Sequence, residues 1–198
     1  MTKLSLMYRL LKKMGFNYSE AEYGQVSVMK VLAKSLLTLR NAFLLKYVMN
    51  WVILSPIAPR KLRPGIWRIV GCKVGKDVFI GTNVSFDTGH AELIELEEHA
   101  HIAGHSILLC HQRNLSDYCV GDDYAKLPYK TGKIILKKGC LVGTHTLIMP
   151  GVTVGEGAIV GAYSLVTKDI PAWTIAVGRP AKVVKIIPER KNEGKSNI

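Results

Sequence analysis

The stretch LKKGCLVGTHTLIMPGVTVGEGAIVGAYSLVTKDIP, residues 136–171, repeats with a period of six residues. The first position of every hexad is aliphatic: Leu136, Val142, Ile148, Val154, Val160 and Val166. An amphipathic helix would place apolar residues three and four apart, and an ordinary strand would alternate without a fixed repeat length. A strict period of six predicts short strands joined by tight corners and wound into a β-helix.

The same period occurs earlier in the chain, in two sets of three hexads. They begin at Val74, Ile80 and Phe86, and then at Leu96, Ile102 and Leu108. A shift of four residues at 89–92 separates the two sets. The period is then absent over residues 112–133 and resumes in register. Long irregular segments inside compact repeats are commonly functional, so this one is predicted to be an excursion beside the binding site.

The charge of the chain is distributed unevenly along its 198 residues, although the length fits one domain with appendages. Residues 1–76 hold 14 Lys and Arg against two acids, whereas residues 77–198 hold 13 against 13, so the net charge of +12 lies in the first segment. Phosphate binding would require cations on the folded repeat. We therefore expect no nucleic-acid partner.

Residues 1–69 are predicted to form a helical, basic and apolar N-terminal segment, followed by the repeat domain (70–188) and a mobile tail (189–198). Apolar residues recur with helical spacing at positions 29, 32, 36, 39, 43, 47, 51 and 54. The longest uncharged run, 47–59, has 13 residues. That is shorter than the roughly 20 residues that span a bilayer. The chain is expected to be cytoplasmic.

Two interpretations of the N-terminal segment stay open and are compatible. It either packs over the open end of the repeat, or residues 26–68 make a peripheral contact with the inner, anionic face of a membrane. The second interpretation expects these side chains at the lipid headgroups: Trp51, Trp67, Arg60, Lys61, Arg63 and Arg68.

Three motifs in the second half of the chain carry a family resemblance: PGV-x-[VI]-G at Pro150–Gly155, VTKDIP at Val166–Pro171 and G-x-PAK at Gly178–Lys182. With these motifs in order, residues 70–187 resemble the hexapeptide-repeat acetyltransferases of the galactoside, maltose and xenobiotic type. The resemblance implies a mainly β fold, a left-handed parallel β-helix. It also implies a homotrimer with active sites between neighbouring subunits, and acetyl-CoA as the acetyl donor.

His111 is predicted to be the general base, and His145, which follows Gly143 and Thr144 and also points outward, is the alternative. Acetyl transfer to a hydroxyl requires a base for its proton, and histidine titrates near neutral pH. His111 ends the strand ILLCH immediately before the long loop, where the resembling enzymes carry their catalytic histidine. Asp87, in NVSFDTG, matches a position that binds the acceptor's hydroxyls in those enzymes. Its alternative is an ordinary turn residue next to Thr88 and Gly89.

The resemblance further implies a set of acetyl-CoA contacts. Thr144 would lie beside the pantetheine and thioester, and Ala162 would line the groove. Thr167, Lys168 and Lys182 match positions near the adenosine end. Gly143 and Gly161 would let the backbone approach the donor closely. No metal is expected.

The remaining histidines and the cysteines suggest weaker alternatives. Hexad counting stacks His105 on His145, and γ-class carbonic anhydrases bind zinc between subunits of a similar solenoid, so a zinc enzyme is one alternative. His90, His99 and His101 are predicted to be surface residues. The four cysteines lack CxxC spacing, which disfavours zinc binding through thiolates. Cys110 cannot pair with His111, because neighbours in a strand point to opposite faces.

The acceptor is predicted to be a sugar hydroxyl, because this scaffold modifies sugars and the N-terminal segment favours a membrane-proximal substrate. The expected substrate is a precursor of a capsule or lipopolysaccharide saccharide. Amino-sugar amines and xenobiotics are alternative acceptors on the same scaffold. A non-catalytic trimeric scaffold is the alternative outside the enzyme classes.

Overall fold

The computed structural model describes residues 5–15, 24–25, 27–54 and 56–190. By internal contacts the chain divides into two compact units, Met1–Val48 and Met49–Ile198. The boundary predicted after residue 69 stays a prediction. Most of the predicted tail, residues 191–198, lies outside the described residues.

The first unit is helical, as predicted. It contains α1 (Leu6–Lys13), α2 (Val28–Phe43) and a single π-helical turn at Leu44–Val48. Ser5 caps α1 by accepting a hydrogen bond from the backbone N–H of Tyr8 at 3.1 Å. Within the part of the chain that the structure describes, no helix has both the length and the apolar character needed to cross a bilayer.

The second unit begins with two short helical turns, Val52–Leu54 and Ala58–Leu62, and helix α3 (Arg63–Val70), and continues into three parallel sheets. Sheet A contains β1 (Lys73–Val74), β4 (Ile94–Leu96), β9 (Ile134–Leu136) and β12 (Thr153–Val154). Sheet B contains β2 (Phe79–Ile80), β5 (His101–Ile102), β10 (Leu141–Val142), β13 (Ile159–Val160), β15 (Thr174–Gly178) and the antiparallel β16 (Ala181–Ile186). Sheet C contains β3 (Ser85–Phe86), β6 (Ile107–Leu108), β11 (Leu147–Ile148) and β14 (Leu165–Val166).

From β1 to β14, successive parallel strands visit sheets A, B and C in turn, and we call each set of three a rung. The pairing Leu136↔Val154 joins residues one 18-residue rung apart, and Leu96↔Leu136 keeps the same register across the longer segment. All three residues in these pairings begin hexads in the sequence, so the register predicted from the hexads is confirmed. The structure therefore confirms a mainly β protein with parallel sheets and a helical N-terminal segment.

The core is built from the hexad-initial side chains, which stack between rungs. One column in sheet B consists of fully buried Ile80, Ile102, Val142, Val160 and Ala176. Each of these side chains covers the equivalent one in the next rung, so every rung depends on its neighbours for burial.

The corners between sheets hold non-glycine residues in the left-handed backbone region. Four such residues lie at the turn from sheet B to sheet C, with φ near +60°: Asn83, His105, His145 and Tyr163. This conformation disfavours side chains because Cβ approaches the following carbonyl. Its recurrence at one place in every rung shows that the corner geometry repeats with the hexads.

Helix α3 covers the exposed edge of the first rung. Buried Arg63 donates to the carbonyls of Met49 (3.2 Å) and Ile80 (3.1 Å) and to Thr82 Oγ1 (3.1 Å). Arg68 donates to the carbonyls of Val74 (2.8 Å) and Gly75 (2.6 Å). Edge carbonyls that would otherwise lack partners are thereby satisfied.

Two of the predicted headgroup contacts are consequently wrong. Trp67 is fully buried, its ring packs 4.5 Å from that of Phe86, and its indole N–H faces Met49 Sδ at 3.3 Å. Arg63 is 4 % exposed. Neither side chain can reach a membrane, because tertiary packing buries both against the repeat.

The segment that interrupts the period leaves the sheets as a hairpin. β7 (His111–Arg113) pairs antiparallel with β8 (Tyr129–Thr131), and a 3₁₀ turn occupies Tyr124–Lys126. At its base, the Gly132 N–H donates to the Cys110 carbonyl at 2.9 Å. The predicted excursion is confirmed as lying outside the three parallel sheets.

Candidate active site

The base of the hairpin brings His111 and Asp87 together. Asp87 follows β3 in sheet C, and His111 begins β7, three residues beyond β6, the neighbouring strand of that sheet. The Nδ1 atom of His111 is hydrogen-bonded to Oδ2 of Asp87. The side chain of His111 is 36 % exposed and that of Asp87 11 % exposed. A carboxylate bound to Nδ1 leaves Nε2 available to accept a proton from an acceptor group.

His90 joins this pair, although nothing in the hexad pattern indicates a partner for it. Its ring centroid lies 5.5 Å from that of His111. In the described ranges, Asp87, His90 and His111 form the only group of three potential metal ligands, with ligand atoms within 4.8 Å of one another. The four-residue shift at 89–92 carries His90 here, at a kink in the 3₁₀ segment Thr88–Leu93 where the backbone of His90 is not helical.

The hairpin packs an aromatic side chain against His111. The ring of Tyr129 meets that of His111 edge-on, with centroids 5.1 Å apart. The guanidinium of Arg113 lies 4.0 Å from the centroid of Tyr129, and Arg113 also donates to the Leu127 carbonyl. This cation–π contact stiffens the part of the hairpin next to His111.

The residues expected to contact pantetheine lie at the opposite end of the sheet C strands from His111. Thr144 and Ala162 occupy the turn from sheet B to sheet C in successive rungs. The Thr144 hydroxyl donates to the Gly104 carbonyl at 2.6 Å and lies 3.0 Å from His145 Nδ1, while Ala162 is exposed. The structure thus places Thr144 and Ala162 in adjacent corners, at the opposite end of the sheet C strands from the His111 of the same chain.

Close packing accounts for Gly143 and Gly161 at these corners. A Cβ at Gly143 would lie 2.5 Å from the Ala162 nitrogen, and one at Gly161 would lie 2.6 Å from a Val177 methyl group. Glycine is required at Gly143 because adjacent rungs touch there, whether or not a ligand also approaches.

The residues expected at the adenosine end are exposed. Thr167 and Lys168 follow β14, which lies two strands from β6 in sheet C, or about 10 Å. Lys182 lies on β16, at the end of sheet B, and is paired with Val177 of β15. These cations are accessible to an anion, but the structure does not gather them around His111.

The predicted stack of His105 on His145 is confirmed. Their ring centroids are 4.9 Å apart with the planes inclined by 10°, and Tyr163 stacks on His145 at 4.7 Å. Parallel stacked rings direct their nitrogens side by side, so they do not converge on one ion. His101 is only partly exposed, and its ring stacks on that of Phe79 with centroids 4.0 Å apart.

The cysteines next to this site are chemically quiet. Cys110 is fully buried, and its burial, with smaller contributions from Asp87 and Glu92, raises the pKa of the thiol to about 11. A thiol with so high a pKa is a poor nucleophile near neutral pH. The prediction that Cys110 takes no part in chemistry agrees with this burial.

The known proteins that this chain resembles are acyltransferases. No family model matches the chain. A Staphylococcus aureus (strain Mu50) protein that is named as an acetyltransferase is 36 % identical over 115 residues, 58 % of this chain and 55 % of the relative. The chain therefore spans about half the length of the curated relatives it matches.

Two solved structures are similar. A single-residue mutant of AntD, an N-acyltransferase from Bacillus cereus in complex with dTDP-4-amino-4,6-dideoxyglucose and coenzyme A, is 30 % identical, with a TM-score of 0.51 over 60 % of this chain and 64 % of AntD. A maltose O-acetyltransferase from Clostridium difficile 630 is 20 % identical, with a TM-score of 0.60 over 82 % of this chain and 90 % of that one. The chain is similar to hexapeptide-repeat acetyltransferases. At 20 % identity the second likeness concerns the fold alone.

Proposed function

We propose that the protein transfers the acetyl group of acetyl-CoA to a saccharide hydroxyl, with His111 as the general base. The observation that carries the proposal is the contact between His111 and Asp87 at the base of the hairpin. The similarity to acetyltransferases, and to a structure that holds coenzyme A, supports acetyl-CoA as the donor.

In the proposed reaction, Nε2 of His111 removes the proton from the acceptor hydroxyl as its oxygen attacks the thioester carbonyl. The new C–O bond forms, the C–S bond breaks, and the proton passes from the imidazolium to the departing thiolate of CoA. Asp87 holds Nδ1–H and stabilises the imidazolium while it exists. In this mechanism Asp87 positions His111. We also propose that Asp87 contacts the acceptor's hydroxyls.

The donor is proposed to lie along the turn that carries Gly143, Thr144, Gly161 and Ala162. A narrow ligand could approach this turn because Ala162 is exposed and presents only a methyl group. Thr167, Lys168 and Lys182 are proposed to meet the phosphates of the adenosine end, since exposed cations suit phosphate oxygens.

We further propose that the three sheets form a left-handed parallel β-helix that assembles as a homotrimer. The donor groove and His111 lie at opposite ends of the sheet C strands in one chain. A neighbouring copy would bring its groove to the His111 edge, so each site would use two chains.

The acceptor is proposed to be a precursor of a capsule or lipopolysaccharide saccharide. A second candidate is N-acylation of an amino sugar, favoured by the likeness to AntD, whose structure contains a nucleotide-linked amino sugar. The same base would serve an amine, so acetylation of matched hydroxyl and amino sugars would distinguish the two. A zinc enzyme using His105 and His145 is less favoured, because their rings stack face to face.

Calorimetric titration with acetyl-CoA, followed by an acceptor screen, tests the proposal. We expect saturable binding between about 1 μM and 1 mM, the usual range for substrates. His111→Asn should then lower the acetylation rate at least about 100-fold while leaving acetyl-CoA binding intact.

The matched control is His99→Asn, which makes the same substitution at an exposed corner residue with a φ of 59° that asparagine tolerates. Its rate should equal that of the wild type. A folded protein that does not bind acetyl-CoA, or a His111→Asn variant with full activity, would contradict the proposed function.

A further inference from the structure

Helix α2 presents an exposed stripe of large apolar side chains. Met29, Leu32, Leu36, Leu39 and Phe43 recur at intervals of three and four residues, which places them on one face of the helix. Their exposed fractions lie between 52 % and 72 %. No residue of α2 is buried. An apolar face this large on a 16-residue helix marks an interaction surface.

The charged residues of α2 all have the same sign. Lys30 and Lys34 lie on the opposite face of α2 with Thr38 and Asn41, and Arg40 flanks the stripe. Between residues 23 and 76 the sequence contains no Asp or Glu and ten Lys or Arg. The surface beside α2 is thus apolar on one side and cationic around it.

We propose that α2 lies in the plane of an anionic lipid bilayer, with its apolar stripe at the boundary between headgroups and acyl chains. In-plane helices of this kind combine a wide apolar face with a Lys- and Arg-rich polar face. The stripe would leave water, and the cations would meet headgroup phosphates, each contributing about fivefold to binding.

Helix α1 repeats the pattern on a smaller scale. Leu6, Leu10 and Met14 are exposed on one face. Arg9 and Lys12 lie on other faces, and Lys13 lies beside Leu6 at the edge of the apolar face. Two amphipathic helices of the same unit therefore share the chemistry of a bilayer surface.

A second copy of α2 is a poorer occupant of the stripe. Pairing two apolar helix faces in a coiled coil needs charges of opposite sign along the seam. Two copies of α2 would instead bring Lys30, Lys34 and Arg40 of each chain together with no acid on either helix. Lipid headgroups carry negative charge, which the sequence of α2 does not contain.

Flotation of the full-length protein with lipid vesicles tests the proposal independently of acetyl transfer. One set of vesicles contains phosphatidylcholine alone, and the other also contains phosphatidylglycerol. We expect binding to the anionic vesicles at least about tenfold tighter than to the neutral ones, and weakening as salt is added.

Two variants with the same added charge locate the contact. Leu36→Glu places a carboxylate in the apolar stripe and should weaken vesicle binding at least about tenfold. Thr38→Glu places it on the polar face and should weaken binding much less. Acetyl-CoA titration of both variants reports folding and the donor site, so a failure there concerns the proposed function and not the membrane contact.

Three results would overturn the proposal: no vesicle binding by the folded protein, equal loss in Leu36→Glu and Thr38→Glu, or equal binding to neutral and anionic vesicles. If sedimentation shows that Leu36→Glu dissociates an assembly while vesicle binding is absent, the stripe is instead covered by a second copy of the chain.

Discussion

At the scale of single residues, the decisive arrangement is a carboxylate that fixes a histidine at the base of the hairpin. Asp87 is mostly buried and His111 is partly exposed, so one partner is anchored and the other faces solvent. This asymmetry suits a base held in one orientation and one tautomer. The same pair does not require a metal to be held together.

Asp87→Asn should lower the turnover number at least about tenfold with little change in the Michaelis constant for acetyl-CoA. The amide cannot stabilise the imidazolium as a carboxylate does, and the residues proposed to bind the donor lie elsewhere on the chain. Steady-state kinetics measures both constants. Asp87→Glu should recover part of the rate, and a loss that appears only in the Michaelis constant would contradict the positioning role.

Thiol labelling should modify one cysteine per native chain. Cys119 is exposed, whereas burial raises the pKa of Cys110 to about 11 and that of Cys140 to about 12. The buried thiols therefore stay protonated at pH 8 as well as shielded. Mass spectrometry after brief alkylation should find Cys119 alone, and all four cysteines after unfolding. Rapid labelling of a Cys119→Ser variant would show that the buried thiols are accessible.

At the scale of elements, close contact between adjacent rungs restricts which residues can occupy the corners more than it restricts the strands. The strands are mostly two residues long, and the corners stack backbone on backbone. Gly132, Gly143 and Gly155 each lie where a Cβ would come within 2.5 Å of the backbone of the next rung. Neighbouring corners are therefore coupled directly, without side chains between them.

Gly143→Ala should lower the free energy of unfolding by about 1–3 kcal/mol, since the added methyl group overlaps the Ala162 backbone. Gly65→Ala is the matched control in helix α3, where a Cβ would meet nothing within 4 Å. That change should be neutral or stabilising by up to about 1 kcal/mol, because alanine favours helix. Urea unfolding compares the two, and equal effects would contradict the rung-contact argument.

Much of the fold could be predicted from the hexads, because each strand and corner repeats a local pattern. The stack of His105 on His145 follows from counting alone. Burial of Arg63 and Trp67 could not be predicted, since an arginine and a tryptophan in a basic, apolar segment also fit a lipid headgroup region. The contact of His90 with His111 was also missed, because a 3₁₀ segment outside the period carries it.

At the scale of the whole molecule, the separation of His111 from the Thr144 and Ala162 groove has a consequence for assembly. If neighbouring copies complete each site, two inactive variants with defects at different edges should restore activity together. A site is intact when its His111 comes from one variant and its groove from the other. Random mixing gives that combination at one site in four.

Co-expression of His111→Asn with Ala162→Arg should therefore yield about a quarter of the wild-type activity, although each variant alone is inactive. Ala162 is exposed, so the larger side chain can fill the groove without disturbing the core. Sedimentation of the mixture should show trimers. Trimers without recovered activity would mean that one chain contains the whole site.

The hairpin between Cys110 and Gly132 departs from the repeat and returns without changing its register, since Leu96 pairs with Leu136 as Leu136 pairs with Val154. The stacking of the rungs therefore does not depend on the length or composition of this hairpin. Closing a longer loop there costs little extra entropy. Substitutions and insertions in it are free to accumulate beside His111 while the scaffold stays the same. Descendants of this chain could exchange one acceptor for another by altering a segment that folding does not constrain.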